Sequence, residues 1–209
     1  MNTDFRFIFN EKVATQAACK FIECYDGEMY TDDLILLMYL AERQCMKRWH
    51  KLCGDSYSAS SYGIRGDGIM KCLGFRERPT EHVEFAEFNF GEYWDEHIWV
   101  DPRGSFKVSM IKVPVSTCEY GCLCPRHVNA IRALSRMFKG RIYPNLDSTW
   151  IYDCIYDLPE YKPEHHSLTE TPLSVMDILR GLGKSDDDIE EYIEDMEGHY
   201  SLLRLFSKI

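Results

Sequence analysis

The chain has 209 residues, of which 45% are hydrophobic and 13% aromatic, enough for the core of one domain and too apolar for wholesale disorder. A formal net charge of −10 argues against a nucleic-acid backbone as the main ligand, because phosphate binding needs a cationic surface. The longest apolar run, Leu34 to Ala41, is far shorter than a membrane span, and the opening MNTDFRFIFNEK lacks the basic-then-apolar order of a signal peptide.

Asn10 is placed to cap a first helix, in which Ala14, Ala17, Ala18, Phe21, Ile22 and Tyr25 recur at helical spacing and which Gly27 stops. Thr31 is the expected cap of the second. Asp32 and Asp33 fall in its first turn, and Lys47, Arg48 and Lys51 near its far end, the charge order that suits the helix dipole. Its first half is apolar all round, which predicts the central buried helix. The stretch GDSYSASSYGIRGDG, residues 54–68, follows with four glycines. It lacks the Gly-Lys-Ser/Thr ending of a phosphate-binding loop. The expectation is a structural turn whose outer edge helps bind a partner, and the Arg65-Gly66-Asp67 triplet reads as chance.

Ile69 to Leu73 predicts a short helix. The segments HVEFAEFNF, HIWV and SFKVSMIKV alternate or run apolar around Asp101-Pro102-Arg103-Gly104, which predicts a β-hairpin. Pro125 opens a helix with Val128, Ile131, Leu134 and Phe138 on one face and Gly140 at its end. Pro172 is the expected start of a helix ending at Gly181 or Gly183, and Ser185 the cap of a final acidic helix, DDDIEEYIEDMEG. The expected fold is mainly α with a small antiparallel β-hairpin or sheet insertion (α+β), a compact single domain over residues 1–200, with 201–209 a tail or helix end.

The string LMYLAERQCMKRWHKLCGDSYSASSYGIRGDGIMKCL resembles the signature of the Panacea-domain family of SocA-like antitoxin domains. The family's Leu-Tyr-Leu-Ala-acid-Arg helix is matched by Met38, Tyr39, Leu40, Ala41, Glu42 and Arg43. Its Gly-Asp-x-Tyr-x-Ala segment is matched by Gly54, Asp55, Tyr57 and Ala59, and its aromatic-Gly-Pro-Val turn by Tyr62-Gly63-Ile64-Arg65. Leu158-Pro159-Glu160-Tyr161 and TPLSVMDILRGLGKSDDDIEEYIE extend the similarity over roughly residues 9 to 197. Three features depart from the pattern: Ile64 and Arg65 replace the turn's Pro and Val, Arg126 and His127 replace an acidic pair, and Tyr161 stands at a common Trp position. The resemblance implies a non-enzymatic antitoxin that neutralises a protein toxin or defence effector by direct binding, or an adaptor that presents a bound partner to a protease.

Two surfaces are candidates for that partner. Tyr57, Tyr62 and Arg65 form one, since Tyr and Arg favour interfaces. Arg132, Arg136 and Lys139 share a helix face and form the other, within a stretch free of acids between Glu119 and Asp147. From Asp186 to Glu197 eight of twelve residues are acidic, so the basic and acidic segments either neutralise each other or dock charged partners. Cys118, Cys122, Cys124 and His127 form a C-x₃-C-x-C-x₂-H cluster that would make the alternative, a metal-dependent nucleic-acid binder or enzyme using zinc. Its spacing lacks two separated chelating pairs, so reduced thiols are the expected reading, and nine cysteines without an export signal suit a cytoplasmic chain. His165-His166 beside Glu164 reads as a solvated loop. No catalytic or dinucleotide fingerprint occurs, so neither enzymatic activity, cofactor nor membrane association is expected.

Overall fold

A computed structural model of the chain describes residues 5–78, 89–101, 106–111, 121–139 and 149–206. Helix α1 (Glu11–Cys24) begins as expected, with Val13 N donating to Asn10 Oδ1 at 3.0 Å. Helix α2 (Thr31–Met46) is the centre: Leu34, Leu37 and Tyr39 are wholly buried. It is packed by α1, by α5 (Pro125–Phe138) and by α6 (Thr149–Tyr156). Thr31 is not its cap. A strand, β1 (Glu28–Tyr30), holds the chain extended up to the helix, so Tyr30 takes the cap position and Thr31 is the first helical residue.

Two antiparallel sheets flank the helices. In the first, β1 pairs with β5 (Lys107–Met110), which pairs with β4 (Ile98–Val100), and Val108 lies buried between Met29 and Val100. The expected hairpin is thus present; its turn at 102–105 and most of the HVEFAEFNF alternation lie outside the described residues. Helix α4 (Glu92–His97), unforeseen, is started from afar: the Glu11 carboxylate accepts from Gly91 N at 2.7 Å and Trp94 N at 3.1 Å.

The second sheet lies inside the stretch expected to be a turn. Strands β2 (Tyr57–Ser60) and β3 (Gly63–Gly66) form a hairpin around Ser61 and Tyr62, and β2 also pairs with β6 (Thr171–Leu173). Gly63 has a φ of 87°, and a Cβ there would meet Leu36 Cδ2 at 3.0 Å, so both backbone and space require glycine. Helix α3 (Asp67–Cys72) follows at once. Pro172 sits in β6, an edge strand, where a missing N–H is tolerated. Helix α7 (Val175–Gly181) instead starts at Ser174, whose Oγ accepts from Asp177 N at 3.0 Å. Ser185 caps α8 (Asp186–Phe206), which runs on through residues 201–206, expected to be a tail or helix end. The fold is therefore α+β, and among the described residues no helix is long and apolar enough to cross a membrane.

Three buried carboxylates brace the frame. Glu42 accepts from the backbone N–H groups of Leu52 (2.8 Å), Cys53 (2.9 Å) and Gly54 (3.0 Å). Asp55 accepts from Ser56, Gly68 and Ile69, tying the hairpin to the start of α3. Glu160 accepts from Tyr39 Oη at 2.6 Å and from Arg43 Nε at 2.5 Å, and Arg43 also reaches the Gly181 carbonyl at 3.3 Å. Buried charge is stable only when so satisfied. The two ends of the described chain are joined as well: Tyr200 Oη accepts from Ile8 N (3.2 Å) and Lys51 Nζ (2.8 Å), and its ring stacks on Phe5.

Candidate interaction surface

The hairpin trio is divided by the fold. Tyr57 is 8% exposed, its ring 4.9 Å from that of Tyr39 and its hydroxyl at 3.5 Å from Glu42 Oε2. It belongs to the bracing and is closed to a partner. Tyr62, at the hairpin tip, is 54% exposed. Arg65 lies over the Tyr62 ring at 5.3 Å and pairs with Asp32 Oδ1 at 3.2 Å. Arg65, expected on a partner-binding edge, is paired with an acid of its own chain in the first turn of α2. Beside it, Asp33 is buried, and its carboxyl is pushed up to about 7 by burial and by the Asp32 charge. Burial also pushes Asp55 up to about 7, against the three N–H donors that pull it down.

The basic stripe of α5 is open. The helix buries Ile131 and Phe138, and the opposite side carries Arg132, Arg136 and Lys139, all exposed. Among the described residues Arg132 and Arg136 have no ion pair or hydrogen bond, and Lys139 pairs at 3.1 Å with the exposed Asp26. Met137, between the arginines and the lysine in sequence, is 54% exposed. Among the described residues, none of the three cations reaches an acid of α8. At the other end of α8, Asp186 is engaged by Arg180 at 2.8 Å.

The Cys/His cluster is only partly described, since Cys118 lies outside. Cys124 is the exposed cap residue of α5, and Cys122 N donates to Gln16 Oε1 at 2.8 Å. His127 Nε2 donates to the Lys51 carbonyl at 3.0 Å, leaving Nδ1 buried without a partner, and burial holds its pKa below the ordinary imidazole value. Among the described residues no three His, Cys, Asp or Glu side chains are grouped to hold a metal ion. His165 is buried, its Nδ1 accepting from Lys162 N at 2.9 Å, and His166 packs on Tyr156 and Tyr161. His165 is thus structural, whereas Glu164 and His166 are exposed, as expected of the loop.

Sequence reasoning missed the cavities. One of about 440 Å³ lies beside β2 and β6, where Arg76 bridges Asp67 and Glu170. Two others, of about 610 and 270 Å³, adjoin at the start of α5 and share His50 and Arg126, which touch each other. Residues distant in sequence line all three, and no local motif announces them. No family model, curated protein or solved structure matches the chain.

Proposed function

We propose that the chain is a non-enzymatic neutralising protein that blocks a protein toxin or defence effector by binding it directly, in the cytoplasm, with the outer face of α5 as its docking surface. The observation that carries this reading is the pair Arg132 and Arg136 on one face of α5, both exposed and, among the described residues, without an acid; Met137, 54% exposed, follows Arg136 in the chain. Arginine and methionine are enriched at interfaces, and unpaired cations on a chain of net charge −10 give a local field that speeds and selects an acidic partner.

The Panacea resemblance supports the same reading. The residues that carry it, Tyr39, Glu42, Arg43, Gly54, Asp55 and Tyr57, lie in or beside the internal bracing, and a scaffold so held leaves its surface free to specify a partner. The described cysteines are all free thiols, and burial pushes those of Cys19 and Cys45 up to about 12, so they stay protonated and inert in a reducing compartment. Affinity capture from the native host with mass spectrometry tests the proposal. One protein partner in stoichiometric amount is expected, lost when Arg132→Glu and Arg136→Glu are combined. A nucleic acid in its place, or a partner indifferent to both substitutions, overturns it.

A further inference from the structure

The larger cavity at the start of α5 is lined by bases and no acid. His50, Lys51, Arg126, His127 and His199 face it. Its apolar wall is Trp49, Tyr192 and Met196. The smaller cavity continues along α5 past Arg48, Asn129 and Ala133, so the two form one trough between the end of α2 and the outer side of α5. Lys51 is held from behind by Tyr200 and Ile8, whereas Arg48 and Arg126 are exposed and have no acidic partner among the described residues. The first turn of α5 contains no acid, so the helix dipole adds to the positive potential there.

The apolar wall is set by the end of α2. Trp49 has a φ of 59°, the left-handed residue of a Schellman cap in which Trp49 N donates to the Met46 carbonyl at 3.0 Å and His50 N to the Cys45 carbonyl at 3.2 Å. The Trp49 ring packs on Tyr192 at 5.2 Å, and Lys184 Nζ sits over it at 4.1 Å. Of the trough residues, Arg126, Ala130 and Ala133 lie on a different stripe of α5 from Arg132, Arg136 and Lys139, and Asn129, at i−3 and i−7 from the two arginines, borders both.

We infer that this trough takes an extended acidic segment of the protein partner, seating one apolar or aromatic side chain against Trp49, Tyr192 and Met196 with flanking carboxylates on Arg126, Arg48 and His50. The inference rests on the protein-binding reading above and names the chemistry of the bound segment. Charge complementarity selects an acidic occupant, and the apolar wall selects a peptide over a simple anion. A nucleic-acid strand fits less well. One wall is α8, with eight acids among residues 186–197, and a uniform polyanion running beyond the bases meets them. A peptide places acids only where the bases stand.

Selection of a random dodecapeptide library on the immobilised protein tests this, with representative peptides resynthesised and titrated against the Arg48→Glu and Arg126→Glu variants. The expected peptides carry Asp or Glu around a Trp, Phe or Leu, and each variant weakens them by about tenfold or more. Arg126→Glu places an acid in the first turn of α5, which favours the helix, so its melting temperature should hold or rise and loss of binding is not loss of fold. Peptides without this pattern, peptides indifferent to both variants, or displacement by a single-stranded oligonucleotide overturn the inference. If such a failure accompanies a native partner still captured through Arg132 and Arg136, the trough assignment falls and the neutralising role stands. If no protein partner is captured at all, the role itself falls.

Discussion

Glu160 lies wholly buried between Tyr39 and Arg43, whereas Arg132 and Arg136 end on the outer side of α5 with no acid beside them among the described residues. Both regions are charged, and water decides the difference. Inside, a carboxylate without donors would cost several kcal/mol, so the partners of Glu160 are fixed by the fold and a change at one forces a change at the others. Outside, solvent satisfies a guanidinium and the fold asks nothing of it. The bracing around Glu42, Asp55 and Glu160 falls in the first class, and the proposed partner surface in the second. A scaffold and its specificity can thus vary independently.

The contrast can be broken at its strongest point first. Glu160→Ala leaves Arg43 and the Tyr39 hydroxyl without their acceptor and should cost about 3–5 kcal/mol, read by urea unfolding. A loss below 1 kcal/mol would mean that the bracing is decorative. Arg65→Glu comes next. It replaces the cation facing Asp32 with a third acid near Asp32 and Asp33, and a loss of about 1–2 kcal/mol is expected. A stability-neutral Arg65→Glu would return that residue to the free surface.

The pH dependence is smaller. Asp33 and Asp55 have carboxyls raised to about 7, above the 3.8 from which they start. The folded state then binds protons that the unfolded state releases, so their contribution is complete below the unfolded pKa and is lost as pH rises through about 7. Stability should increase on going from pH 8 to pH 6, by about 1 kcal/mol for each group. Thermal melts at the two pH values measure it, and Asp33→Asn should remove its share. The smallest expected change is in Arg132→Glu and Arg136→Glu, each within about 0.5 kcal/mol in stability while partner capture is lost. A large destabilisation there would erase the distinction between the two regions.

What was legible in the sequence follows the range of the forces involved. The Asn10 and Ser185 caps, the buried α2 and the amphipathic α5 depend on neighbours within a turn or two, and both helices and both caps are found. The hairpin at 57–66 was hidden because Ser, Ala and Gly have weak strand preference; it forms because β6, more than a hundred residues away, supplies its other partner. Helix α4 depends on Glu11 for its start, and Pro172 looked like a helix opener because the edge position that accommodates it is a property of the sheet. The candidate surface divides in the same way. The stripe of Arg132, Arg136 and Lys139 could be read from helical spacing alone. The pairing of Arg65 with Asp32, and the trough between Trp49, α5 and α8, are created by folding.

The bonds to Tyr200 bear on how the protein is made. A ribosome releases Ile8 192 residues before Tyr200, so this segment waits through that interval for the hydroxyl that accepts from Ile8 N. Contacts of such separation close slowly. Helix α5 emerges roughly sixty residues before Tyr200, and the helices it packs on, α1 and α2, precede it. The outer arginines are therefore in place while the trough still lacks Tyr192 and Met196. A partner of the proposed kind, present during translation, would meet the charged face of a nascent chain before the proposed apolar wall exists.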